Sequence, residues 1–240
     1  MLSFEDCDLV LLNYERPSCV QRIIDYNERL PWKRILVADQ QSRGCKYEDP
    51  ELSATSDKVL LWQPEHSLGS LARFMAPAMA ESSYVCTQDD EYLVTENGWR
   101  LLFDAWNEHS IVAFKPDATF SASAWLESLY EDTPYDVIKH TDLGYGAVYR
   151  NEWAIRSHEL MSSAGYARQC RESSDKAWTT FWGDSKMLPA DHIQRLFMPG
   201  NTFCLAENTL QVSQCENSRV KQRSAIKAAI KARYDLFKSG

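Results

Sequence analysis

Between Leu9 and Phe114 the sequence alternates short, unbroken apolar runs with amphipathic segments, the pattern of an α/β sheet with crossover helices. Leu9–Leu12, Ile35–Ala38, Val59–Trp62, Tyr84–Cys86 and Ile111–Phe114 read as strands, and the first suits burial on both faces. After Pro17, Ser18 and Gln21 stand at capping-box spacing ahead of a stripe of Val20, Ile23, Ile24 and Leu30, and Pro31 ends that predicted helix. From Ser70 onward, Leu71, Phe74, Met75, Ala78 and Met79 fall at helical spacing, although Pro77 interrupts the second half. Thr95 is placed to cap a third helix with Trp99, Leu102, Phe103 and Trp106 on its inner face. The second half is less regular: a long surface loop over 118–134, strand character at Gly146–Tyr149, and a helix after Ser174 carrying Ala177, Trp178, Phe181 and Trp182.

A chain of 240 residues with 44% hydrophobic content can bury one sizeable core but not two ordinary domains and a linker. Beyond Asn217 the composition changes: seven basic residues face the single acid Asp235, and Ile226, Ile230 and Phe237 form a weak apolar stripe. The expected division is therefore a catalytic domain over 1–215 and a basic C-terminal helix over 216–240. A net charge of −8 argues against a protein that coats nucleic acid by general attraction. No apolar run approaches the roughly 20 residues of a transmembrane helix. The N-terminal stretch carries Glu5, Asp6 and Asp8 and no basic leader, so it does not read as a secretory signal. Seven scattered cysteines without a CxxC pair read as reduced thiols, and the expected location is cytoplasmic.

The chemistry concentrates where the fourth apolar run meets Asp89, Asp90 and Glu91. Open α/β sheets bind ligands at the carboxyl ends of their strands, where these acids fall. Clustered carboxylates repel one another unless a cation neutralises them, and hard oxygen ligands suit Mn²⁺ or Mg²⁺ bridging two phosphates. Asp89 and Glu91 are the candidate metal ligands. The bland reading is a solvated acidic turn.

This stretch resembles the DxD region of GT-A glycosyltransferases. With Ser67–Phe74 before it, and Leu102–Glu108 and Ile111–Phe114 after it, the order and spacing resemble the exostosin-like group, glycosyltransferase family 64. The resemblance runs from about Asp8 to Trp182. Three positions depart from the family pattern: Glu91 replaces a third Asp, Ser70 stands where the family has Asn, and Ala113 replaces a strand glycine. The resemblance implies a GT-A fold, a mixed central sheet flanked by helices, with a nucleotide-sugar donor (a UDP-sugar first) and a divalent metal. It assigns the loop Asn13, Tyr14, Glu15 and Arg16 to the base and a phosphate, Asp39 to the base or ribose, Arg73 to the donor pyrophosphate or sugar, and Asp89 and Asp90 to the donor phosphates. Asp175 corresponds to the carboxylate that orients the acceptor or acts as base, and Gly144–Tyr149 to a small-residue acceptor strand. It also implies retention at the anomeric carbon, whereas an Asp175 facing the acceptor hydroxyl opposite the leaving group implies inversion.

Plain structural roles compete at each position: an Asx turn for Asp39, a surface ion pair for Arg73, a solvated helix-entry charge for Arg16, and helix-dipole compensation for Asp175. His192 reads as a partly buried histidine rather than a ligand. A sugar nucleotidyltransferase needs a glycine-rich loop after the first strand, and Asn13–Pro17 has no glycine. A non-enzymatic module using the basic helix on nucleic acid or a membrane surface is the other alternative. The acceptor stays open among modified DNA, a glycan, a lipid-linked sugar, a protein side chain and a small molecule.

Overall fold

The computed structural model describes residues 1–13, 16–40, 52–65, 68, 72–90, 92–107, 111–114 and 143–155, together with the strands 185–188 and 193–195. The expected loop over 118–134, the helix after Ser174, Asp175, His192 and the basic segment 216–240 lie outside the described residues.

Strand β1 (Cys7–Asn13) is buried at all seven positions. It lies between two parallel neighbours, β2 (Arg34–Asp39) and β4 (Tyr84–Gln88), so its apolar side chains meet cover on both faces. Strand β3 (Val59–Trp62) extends β2 in parallel. Strand β7 (Ala147–Arg150) runs antiparallel between β4 and β6 (Ile111–Phe114), and β8 (Ser185–Leu188) pairs in parallel with β6. Among the described strands the order is β3-β2-β1-β4-β7-β6-β8, a mixed sheet in which β7 alone of these runs reversed. With helices flanking it, this is the mixed α/β class expected from the sequence.

Local chemistry moves several boundaries. Helix α1 (Pro17–Asn27) starts one residue before the expected cap: Arg16 is its N-cap, and Pro17 fills the first turn, where its missing N–H would have had no partner. Ser18 is therefore inside the helix. The helix ends before Pro31, at Glu28, where the Lys58 ammonium donates to the carbonyls of Glu28 (2.6 Å) and Leu30 (2.7 Å). The helix expected from Ser70 is a single turn, α2 (Ala72–Met75), followed by a 3₁₀ turn over Ala76–Met79. Pro77 cannot continue the α-helical ladder, and Ala78, expected on the inner face, is exposed. Helix α3 (Glu96–Ala105) starts where predicted, with the Thr95 hydroxyl accepting from the Gly98 N–H at 3.2 Å, but it stops one residue short of Trp106, which was expected on its inner face and is instead the half-buried, extended C-cap.

Trp99, Leu102 and Phe103 of α3, which packs on β6 and β7, are buried in one cluster with Val112, Phe114 and Val148, and edge-to-face contacts join Trp99 to Trp32 (5.2 Å) and Phe4 to Phe103 (5.0 Å). A second cluster, centred on Phe74, Val85, Ile111 and Tyr149, fills the opposite face. Asp8 is fully buried at the far edge of the sheet, where its carboxylate accepts from the N–H groups of Glu81 (2.7 Å) and Ser82 (3.0 Å). That ties the turn before β4 to β1. A short strand, β5 (Tyr92–Val94), which the sequence reading did not contain, pairs antiparallel with β9 (Ile193–Arg195) immediately after the acidic turn.

Candidate active site

Six candidate residues meet at the carboxyl edge of the sheet: Asn13, Asp39, Asp89 and Asp90 at or just beyond the ends of β1, β2 and β4, and Arg16 and Arg73 from α1's N-cap and α2. Asn13 closes β1 and Asp39 closes β2 as register partners, and Asn13 Nδ2 donates to Asp39 Oδ1 at 2.7 Å. Both are buried. The other oxygen of Asp39 accepts from Gln63 Nε2 at 3.0 Å. Asp39 is thus held by two side chains from neighbouring strand ends, which sets aside the simple turn role. Beside it, the Gln40 N–H donates to the Asn13 carbonyl (3.0 Å), and Gln40 Oε1 accepts from the Leu68 N–H (2.7 Å).

Asn13 also reaches in the other direction: its Oδ1 accepts from the Arg16 N–H at 3.3 Å, fixing the entry to α1. From there the Arg16 guanidinium donates to Asp90 Oδ1 at 2.6 Å, with the two side chains only 18% and 8% exposed. Arg16 is accordingly not a solvated helix-entry charge. The neighbouring acid, Asp89, pairs with Arg73 of α2, whose side chain is 3% exposed against 33% for Asp89. Arg73 is a buried cation aimed at the sheet edge, not a surface ion pair. Below it lies Tyr149 of β7, fully buried; burial pushes its phenol well above the ordinary range, and the nearby Arg73 charge works against that rise.

Gly144 completes the edge. Its carbonyl accepts from the Asp89 N–H at 2.8 Å. A β-carbon there would stand 2.7 Å from Asp89 Cγ and closer still to Oδ2, so the carboxylate lies on bare backbone. Gly146, two residues on, has φ +108 and closes the turn from Leu143 that leads into β7, which puts the strand at Ala147–Arg150 rather than Gly146–Tyr149.

The structure therefore brings Asn13, Arg16, Asp39, Arg73, Asp89 and Asp90 into one connected row. Tyr14, Glu15, Glu91 and Asp175 lie outside the described residues. Gln63, Gln40 and the contact of Gly144 with Asp89 were not anticipated. Gln63 follows β3 as Asp39 closes β2, and that strand-end position was the one signal available. Among the described residues no group of three or more His, Cys, Asp or Glu side chains is placed to hold a metal ion.

No family model matches the chain, and no curated protein matches it in sequence. In fold it is similar to solved structures at low identity. S. aureus TarS 1–349 in complex with UDP shares 12% identity at a TM-score of 0.44, over 76% of this chain and 57% of that one. The galactosyltransferase LgtC with donor and acceptor sugar analogues shares 12% at 0.45, over 68% and 64%. Glucosyl-3-phosphoglycerate synthase from Mycobacterium tuberculosis, with Mn²⁺, UDP and phosphoglyceric acid, shares 10% at 0.48, over 95% and 78%. The chain spans less than two thirds of the TarS and LgtC chains it matches. No helix among the described residues is long and apolar enough to cross a membrane.

Proposed function

We propose that the chain is a metal-dependent GT-A glycosyltransferase, of the exostosin-like kind that its motifs resemble, moving a sugar from a UDP-sugar to a hydroxyl of a cytosolic acceptor. The observation that carries this reading is the pairing at the end of β4: two adjacent carboxylates, Asp89 and Asp90, each held by an arginine from a different element, beside the buried Asn13–Asp39 pair.

The charges explain what such an edge can hold. Asp89 and Arg73 neutralise each other, and so do Asp90 and Arg16. A diphosphate carried with a divalent cation is the complementary ligand: its oxygens pair with the guanidiniums and its cation with a carboxylate, so that no charge is left buried alone. Sites for Mg²⁺ and similar ions on nucleotides use one or two carboxylates plus substrate phosphates, so Asp89, partly exposed and lying against Gly144, fits as a ligand; Glu91 is proposed as its partner from the motif alone. A cation there supplies positive charge to the departing diphosphate.

The chain's own residues do the rest. Arg73, buried and pre-aimed, donates hydrogen bonds to the leaving phosphate as its negative charge grows, without needing to reorganise. Arg16 anchors a second phosphate oxygen, and Asp39 accepts from the base or ribose. Asp175 is proposed to orient the acceptor hydroxyl, with retention at the anomeric carbon. The segment 216–240 is proposed as a basic helix appended to the catalytic domain 1–215.

A thermal-shift screen of nucleotide sugars with and without Mn²⁺ tests the reading, because a ligand that binds only the folded state raises its stability. A UDP-sugar that raises the melting temperature only with Mn²⁺ supports it. No shift with any nucleotide sugar, in a protein that then binds DNA or anionic vesicles through 216–240, overturns it.

A further inference from the structure

Gln63 has no role in the assignments above, yet it touches Asp39, the buried carboxylate assigned to the base or ribose. Asn13 and Asp39 are register partners, and Ala38 and Trp62 are the last pair of the β2–β3 ladder. Gln63 therefore continues the row by one residue, placing Asn13, Asp39 and Gln63 at adjacent strand ends with Asp39 in the middle. The two amides donate to opposite oxygens of that carboxylate, at 2.7 Å from Asn13 and 3.0 Å from Gln63. Asp39 is 4% exposed, so the carboxylate has little water to exchange these donors for.

We propose that Gln63 is a positioning residue for nucleotide-base recognition, fixing the plane of the Asp39 carboxylate. The proposal rests on the nucleotide-sugar reading and adds a residue to it. A carboxylate oxygen has two lone pairs, so each Asp39 oxygen keeps one acceptor direction after its amide bond is made. With both oxygens tied, those directions are set before a ligand arrives. Because a carboxylate only accepts, the ligand group must donate: a ring N–H such as that of uracil, or a ribose hydroxyl. Removing the Gln63 amide leaves Asp39 tied at one oxygen and free to rotate away from its acceptor geometry.

The probes are UDP and pyrophosphate, both with Mn²⁺, titrated calorimetrically into the wild-type chain, Gln63→Glu and Gln63→Ala. Gln63→Glu keeps the shape and replaces a donor with a second carboxylate facing Asp39, which repels it near neutral pH; at lower pH a shared proton restores the hydrogen bond. Relative to wild type at each pH, Gln63→Glu should bind UDP about tenfold more weakly near pH 7.5 and regain most of that by about pH 5.5, on the scale of one hydrogen bond. Gln63→Ala should lose affinity at both pH values without recovery, and pyrophosphate affinity should be unchanged in both variants. A residue that merely braced the fold would not give a base-dependent, pH-reversible loss. If both variants bind UDP like wild type, Gln63 positions nothing and the active-site reading stands. If wild type binds pyrophosphate as well as UDP, or binds neither, base recognition at Asp39 falls and the proposal with it.

Discussion

Asp89 and Gly144 are joined twice: the backbone N–H of Asp89 donates to the Gly144 carbonyl at 2.8 Å, and the Asp89 carboxylate occupies the space a β-carbon of residue 144 would need. Any side chain at 144 must push that carboxylate away from Arg73 or move the turn that carries it. Gly144→Ala should therefore weaken Mn²⁺-dependent UDP binding at least tenfold, while overpacking costs roughly 1–3 kcal/mol of stability. Gly146→Ala is the control. Its positive φ and a β-carbon 2.7 Å from Val94 Cγ2 predict a loss of stability with little change in UDP affinity in the folded fraction. Calorimetric binding beside chemical denaturation separates the two.

The Asp89–Arg73 pair is lopsided, with Arg73 buried and Asp89 a third exposed. Asp89→Ala leaves a buried guanidinium without that carboxylate and should cost roughly 1–3 kcal/mol, whereas Arg73→Ala leaves a carboxylate that water can reach and should cost less. Both should abolish sugar transfer. Urea denaturation that finds Arg73→Ala the more damaging would contradict this asymmetry.

Asn13 bonds Asp39 with its amide N–H and the Arg16 N–H with its carbonyl oxygen. Asn13→Ala removes both and should destabilise the chain by about 2 kcal/mol, as two hydrogen bonds lost at a buried site. It should also make the Asp39→Ala and Arg16→Ala effects on UDP affinity non-additive, measured by double-mutant cycles.

Cys86 is buried, and burial, reinforced by a hydrogen bond with Cys7, pushes its thiol well above the ordinary range. A pKa raised on folding adds stability that is fully present below the unfolded value, near pH 8.5–9, and lost as pH climbs toward the folded value. Stability should thus decline above about pH 9, and Cys86→Ala should make that decline shallower. Cys7, Cys19 and Cys86 should resist thiol reagents at neutral pH until the chain unfolds.

The parts legible in the sequence were those set by local patterns. Continuous apolar runs marked β1, β2 and β6 because central strands need apolar side chains on both faces, and the run Val59–Trp62 marked β3 although it is an edge strand with Leu60 exposed. Asp39, Asp89 and Arg73 were legible as charges at strand and helix ends, and Thr95 as a cap. What escaped depended on distant partners. β5 is three residues long and exists by pairing with β9, about a hundred residues later. Asp8 counted only as an N-terminal acid, but it holds the Glu81–Ser82 turn from 73 residues away. Gln63 is uncharged and follows an edge strand, so only its strand-end position, not its chemistry, marked it as a neighbour of Asp39. Pro17 outweighed Ser18 at the start of α1 because a proline fits the first turn so well.

The reversed direction of β7 has a consequence for how this molecule can diversify. A strand parallel to its neighbours would begin at the far rim and bring only its tail to Asp89; running backwards, β7 begins beside Thr87, so Leu143–Gly146 is delivered to the same rim as the acids. Sequence changes from residue 143 onward therefore act at the rim that carries the acids, while the hydrogen-bonded ladder of β1 and β4 is left alone.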